Sequence, residues 1–255
     1  GVGVDNIAVE TATELGMAVT YVPDYCVDEV SDHVMALLLA WNRRVVLLDR
    51  SVKANGWGSV PLTMRIMRLR GKKLGVIGFG RIGRAVCSKA RAFDLEVLTH
   101  DPYVSADLIA DYGATAVDDP MVLFRESDTV SLHVAGDDVI VNYDCLCAMK
   151  PHGSLINPSR GNLVDDQSVN RAIREERLYY YVVDDPVNGP REIHKDHPRI
   201  ICTNHNAGIT LESAIRLDLR TFGQVTDAIQ GRKPAHILNP DVLDHPRVKT
   251  FLKTE

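Results

Sequence analysis

Long apolar runs are missing from this sequence: none approaches the roughly 20 residues needed to cross a bilayer, and no secretory leader is visible, so no membrane partner is expected. Cysteine is scarce and unordered. The five, at positions 26, 87, 145, 147 and 202, are an odd number without a C-x-x-C pair or a His/Cys cluster at zinc spacing, which argues against a disulfide framework or a structural metal site. A reducing, cytoplasmic setting fits that usage. A dominant charge is lacking too: 29 Lys+Arg against 34 Asp+Glu gives a net charge of -5 with no long block of one sign, so no direct nucleic-acid partner is expected. The basic stretch 65–73 is short and reads as a solvated loop. There is no internal repeat and no low-complexity tract. The 255 residues are enough for one large domain or two ordinary ones.

What is present is a glycine pattern in a specific setting. The apolar run 74–77 has the length of a buried strand, residues 82–93 carry apolar side chains at helical spacing, and Gly78-Phe79-Gly80-Arg81-Ile82-Gly83 lies between them. Gly78 permits the tight turn, Gly80 lets backbone approach a diphosphate, and Gly83 lets helix and strand pack closely. A diphosphate would then lie on the amino end of the helix, where free N–H groups favour an anion. The next apolar stretch, 95–99, runs to Asp101, 18 residues after Gly83, placing a carboxylate where ribose hydroxyls can donate to it and a 2′-phosphate is repelled. NAD is therefore the expected cofactor.

Short apolar segments at 115–117, 129–132, 154–156, 180–183 and 200–202 follow, with helical stretches between most of them. Ser105 is expected to cap a helix ending at Gly113, Asp119-Pro120 to start another, and Asp165 or Asp166 to cap a third running to Glu176. The expected fold class is α/β, a doubly wound parallel sheet of order 3-2-1-4-5-6 with one further strand. Before the glycine turn, residues 18–22 read as a strand and a long helix runs from Asp28 until the glycines at 56 and 58 stop it. After the last strand, a helix spans 211–230, and the tail to Glu255 has no clear period.

Two residues at strand ends carry chemistry: Arg160, whose planar fork can hold a carboxylate and polarise a carbonyl, and His205, which can exchange a proton near neutral pH. With a nicotinamide, these suffice for reduction of a 2-oxo acid.

From Gly1 to about Lys233 the chain resembles the D-2-hydroxyacid dehydrogenases, among them the phosphoglycerate dehydrogenases, the glyoxylate/hydroxypyruvate reductases and the C-terminal binding proteins. The resemblance rests on Gly1-Val2-Gly3-Val4-Asp5-Asn6, Trp57, the glycine turn, Asp101-Pro102-Tyr103, Leu132-His133, Met149-Lys150-Pro151, the run from Asn157-Pro158-Ser159-Arg160-Gly161 to Asp165, Val183-Asp184 and His205-Asn206-Ala207-Gly208. It implies a dinucleotide-binding domain at 26–208 and, at 1–25 and 209–255, parts of an incomplete, flavodoxin-like substrate domain. It further implies that Arg160 holds the substrate carboxylate, that His205 is the acid/base, and that backbone N–H groups at Val2 and Gly3 cradle the substrate. Cys26, Arg81, Ile82, Pro102, Tyr103, His133, Val134, Pro158, Ser159, Asp184, Ala207 and Gly208 would line the cofactor, and the helix from Asp28 would form a homodimer. The implied substrate is a small 2-oxo or 2-hydroxy acid. An NAD-binding scaffold or co-regulator like the C-terminal binding proteins is the alternative.

Three departures from the family pattern stand out. About 70 to 100 residues that normally precede Gly1, a span comparable to a small domain, are expected to be missing. The Glu that orients the acid/base His, five residues after Asp184, is Gly189 here, followed by Pro190; a shifted alignment offers Asp185, before Pro186, and Glu192 is a further candidate. The turn after His133 is shortened to Val134-Ala135-Gly136-Asp137-Asp138.

Overall fold

The computed structural model describes residues 1–4, 6–57, 66–136, 138–184 and 197–251. Helices α1 (Val9–Glu14), α2 (Val27–Asn42) and α3 (Val45–Asn55) precede the first strand, β1 (Lys73–Ile77). Then come α4 (Arg81–Ala92), β2 (Glu96–His100), α5 (Ala106–Asp111), β3 (Thr115–Ala116), α6 (Pro120–Glu126) and β4 (Thr129–Leu132). Helix α7 (Tyr143–Ala148), β5 (Ser154–Asn157), α8 (Asp166–Arg174), β6 (Tyr180–Val183) and β7 (Ile200–Cys202) follow, and α9 (Leu211–Ile229) and α10 (Pro246–Phe251) lie beyond.

Among the described residues seven strands form one parallel sheet of order β3-β2-β1-β4-β5-β6-β7, the doubly wound arrangement expected. Every residue of β4, β5 and β6 is buried, as a sheet covered on both faces requires. Alternate side chains serve opposite layers: Leu155 and Tyr181 pack with Leu123, Leu146 and Ile173 of α6, α7 and α8, whereas Ile156 and Val182 pack with Leu38, Trp41 and Val86 of α2 and α4.

Local signals set several helix starts. The Ser105 hydroxyl accepts from Leu108 N (3.3 Å), and α5 ends at Asp111 rather than Gly113. Asp119 accepts from Met121 N (2.8 Å) with Pro120 in the first turn. Asp165, not Asp166, caps α8 through Ser168 N (2.9 Å). Two expectations are corrected. The long helix from Asp28 is two helices, broken where Arg44 takes φ 59° and its buried guanidinium donates to Trp41 O (2.9 Å). Residues 18–22 form no strand; only Thr20 makes an isolated antiparallel bridge, to Ile237.

The chain divides into two compact units, Val27–Gly208 and the pair Gly1–Cys26 with Ile209–Glu255, so Cys26 falls in the smaller unit. Within that smaller unit, α9 opens on a capping box between Thr210 and Ser213. It is tied to residues 21–25, which run into a turn, by Arg216 to Tyr25 O (2.7 Å), an Arg220–Asp24 ion pair and Gln224 to Tyr21 O (3.0 Å). Leu211, Leu219, Phe222 and Ile229 of α9 are exposed.

Candidate active site

The turn between β1 and α4 is built from glycines with different constraints. Gly78 has φ 90°, and a Cβ there would stand 2.4 Å from His133 O. At Gly83 a Cβ would meet Gly78 O at 2.2 Å, so helix and turn close only without a side chain. Gly80 differs: among the described residues nothing lies within 4 Å of where its Cβ would be, and no side chain caps the amino end of α4. Open space in front of an uncapped helix start is what an anionic diphosphate needs, and the residues present fit a dinucleotide.

Asp101 follows β2 and joins its end to this turn. One carboxylate oxygen accepts from Phe79 N (2.7 Å) and the other from Tyr103 N (2.9 Å). The carboxylate is half-buried beside the turn, and Tyr103 is exposed.

Strands β5, β6 and β7 are adjacent and in register, Asn157 opposite Val183 and Val183 opposite Cys202, so the residues just beyond them share one carboxyl edge. Beyond β5, buried Asn157 shapes the loop: its amide donates to Arg160 O (2.8 Å) and its carbonyl accepts from Ser159 N (3.1 Å). Ser159 Oγ donates to Leu132 O (2.8 Å), binding this loop to the end of β4, and Arg160 is half-exposed after Pro158.

Beyond β6, Asp184 is 1% exposed and anchors the segment after β7. Its Oδ1 accepts from Thr203 Oγ1 (2.7 Å) and Asn206 N (3.2 Å), and its Oδ2 from Ala207 N (3.0 Å). Between those bonds sits His205, exposed and with φ 48°, a left-handed conformation that costs about 1 kcal/mol or more for a residue with a Cβ. On β4's end, His133 Nε2 lies 2.9 Å from Ser131 Oγ, and burial pushes its imidazole down to about 3, keeping it neutral near pH 7. Val134 packs partly buried against the core beside Gly78.

The structure thus brings Gly78, Gly80, Arg81, Ile82, Gly83, Asp101, Pro102, Tyr103, His133, Val134, Pro158, Ser159, Arg160, Asp184, His205, Ala207 and Gly208 into one unit. Val2, Gly3 and Cys26 belong to the other. Asp185, Pro186, Gly189, Pro190, Glu192 and Asp137 lie outside the described residues, as do Asp5 and Gly58. Sequence reading gave no role to Asn157 or Thr203, which bond within these loops, or to His33 of α2, whose Nε2 lies 3.2 Å from Thr203 Oγ1. A polar residue closing an apolar strand, as at Asn157, was the only available signal.

The sheet, the glycine turn and the loaded carboxyl edge define a dinucleotide-binding α/β protein. The sequence profile described as D-isomer specific 2-hydroxyacid dehydrogenase, NAD binding domain, matches residues 35–207. A D-3-phosphoglycerate dehydrogenase from Methanocaldococcus jannaschii is 31% identical over 94% of this chain, which spans 46% of that relative's length. A glyoxylate reductase from Aeropyrum pernix is 31% identical, covering 95% of this chain and 75% of its own. Among solved structures, the D-lactate dehydrogenase from Aquifex aeolicus, complexed with NAD and lactic acid, superposes with a TM-score of 0.84 at 25% identity, over 94% of this chain and 78% of that one. The chain belongs to the D-isomer specific 2-hydroxyacid dehydrogenase family and carries its NAD-binding domain.

Proposed function

We propose that this chain catalyses the interconversion of a small 2-oxo acid and its D-2-hydroxy acid with NAD. The observation that carries the reading is the row of Arg160, Asp184 and His205 beyond three adjacent strands, on the same sheet edge as the glycine turn. Bound at that turn, NAD would supply or accept the hydride at C2. Arg160 holds the substrate carboxylate in its guanidinium fork and stabilises charge on the carbonyl oxygen. His205 gives the proton to that oxygen in reduction and takes it back in oxidation. With NAD bound, the α4 amino end and Gly80 would hold the diphosphate, Asp101 the adenosine ribose, and Asp184 the nicotinamide amide.

Val2 and Gly3, read as belonging to a substrate domain, are proposed as backbone N–H donors to a substrate carboxylate, and Cys26 as a cofactor-lining residue. A homodimer through α2 and a cytoplasmic location complete the reading. Among the described residues no helix is long and apolar enough to cross a membrane. The relatives are named as dehydrogenases or reductases, and the scaffold alternative gains no observation of its own.

The test is NADH consumption with glyoxylate, hydroxypyruvate, pyruvate and longer 2-oxo acids. Arg160→Ala should raise KM and lower kcat, whereas His205→Ala should lower kcat by about a hundredfold or more with little change in KM. Unchanged kinetics in both variants would overturn the assignment.

A further inference from the structure

We propose that His33 is a positioning residue for His205, acting through the Thr203 hydroxyl and the Asp184 carboxylate. The inference rests on the acid/base role given to His205 above, and it adds a residue 170 positions from Thr203 that no motif in the sequence marks.

His33 lies on α2, with Nε2 3.2 Å from Thr203 Oγ1. Thr203 has one hydroxyl proton, and it is directed at Asp184 Oδ1 (2.7 Å). The hydroxyl therefore faces His33 with a lone pair, so His33 donates: Nε2–H to Thr203 Oγ1, then Oγ1–H to Asp184. This direction assigns the His33 tautomer, and polarisation along the chain strengthens the second bond.

Asp184 is where the loop is held. Its two oxygens accept the N–H groups of Asn206 and Ala207, the two residues that follow His205, and the left-handed backbone at His205 persists because those bonds over-determine it. A carboxylate can turn about its last torsion, and the Thr203 hydroxyl pins Oδ1. A hydroxyl can turn as well, and the His33 donor pins it. Each link removes one rotation, and the last group in the series is the imidazole that must meet the substrate oxygen. Misplacement of such a group by a fraction of an ångström is felt in turnover rather than in cofactor affinity.

The experiment combines amide hydrogen exchange by NMR with steady-state kinetics for His33→Leu, which removes the donor, and His33→Gln, which restores one. In His33→Leu, the Asn206 and Ala207 amides should exchange about tenfold faster while those of Ile156 and Val182 in the sheet are unchanged, and kcat should fall about fivefold. His33→Gln should recover most of both effects. Thr203→Val deletes the link at its centre, and adding His33→Leu to it should change nothing more. Should His33→Leu fold poorly, His33→Asn, whose amide falls short of Thr203, takes its place. Unchanged exchange at Asn206 and Ala207, an increase shared equally by Ile156 and Val182, or no recovery with Gln would overturn the proposal. If wild-type protein turns over no 2-oxo acid, the proposed reaction fails, while the exchange measurement still decides whether His33 orders the loop.

Discussion

Gly80 and Gly83 are three residues apart in one turn and are required for opposite reasons. Gly83 has no room: a Cβ would collide with Gly78 O at 2.2 Å, and a backbone carbonyl in a tight turn cannot swing away. Gly80 has room that the diphosphate would take. Gly83→Ala should therefore cost about 1–3 kcal/mol of stability as well as NADH binding. Gly80→Ala should leave Tm of the free protein essentially unchanged and weaken NADH binding alone. Thermal unfolding and NADH fluorescence titration on both variants check this, and equal Tm losses would contradict it. Residues of this kind were legible in the sequence because glycine spacing, Asp101 and the strand-end Arg160 and His205 are local signals. His33 and Thr203 were not, because their meaning arises only when β6 and β7 pair and α2 lies against them.

The element scale shows where periodicity misleads. Apolar spacing continues smoothly from α2 into α3, yet the helix breaks at Arg44, whose guanidinium lies 4.9, 4.8 and 5.0 Å from the ring centroids of Trp41, Tyr179 and Tyr180. Two of those rings, Tyr179 just before β6 and Tyr180 at its start, lie far along the chain, so no window around residue 44 contains the cause. A flat cation among aromatic faces is suited to Arg and poorly to Lys, whose charge is compact and more strongly hydrated. Arg44→Lys should lower stability by about 1–2 kcal/mol and Arg44→Ala by more, measured by urea unfolding. A loss below the error of the measurement in both would show that the left-handed break is set by something other than this cage. The opposite case is the strand expected at 18–22: its apolar run was real, but only Thr20 finds a bridging partner, and strand character needs a ladder as well as a pattern.

On the scale of the whole molecule, the sheet has a carboxyl edge that carries the proposed site and an amino edge that is clamped. At its amino edge, Asp128 is buried just before β4 and accepts from Lys73 N (2.9 Å), His152 Nε2 (2.9 Å), Lys150 Nζ (3.2 Å) and Lys72 Nζ (3.3 Å), joining the starts of β1, β4 and β5. Burial pushes its carboxyl up, but the Lys73 N–H, His152 and Lys150 outweigh that and hold it at about 2. A folded value below the ordinary one means the stabilisation is complete above about pH 5 and is lost as pH falls toward 2. Wild-type protein should lose about 2 kcal/mol from this group across that window. In Asp128→Asn the loss should already be present at pH 7, and urea midpoints of the two proteins should converge near pH 2. Parallel curves would contradict the clamp.

In the reaction proposed for the carboxyl edge, a hydride passes between NAD and C2 of a 2-oxo acid placed by Arg160 and protonated by His205. The most direct measurement uses NADH deuterated at both C4 positions, a 2-oxo acid and mass spectrometry with NMR of the product. That reaction yields a D-2-hydroxy acid carrying one deuterium at C2, formed by wild-type protein and strongly reduced in His205→Ala. Product without deuterium at C2, or no product from any 2-oxo acid while NADH remains bound, would contradict it.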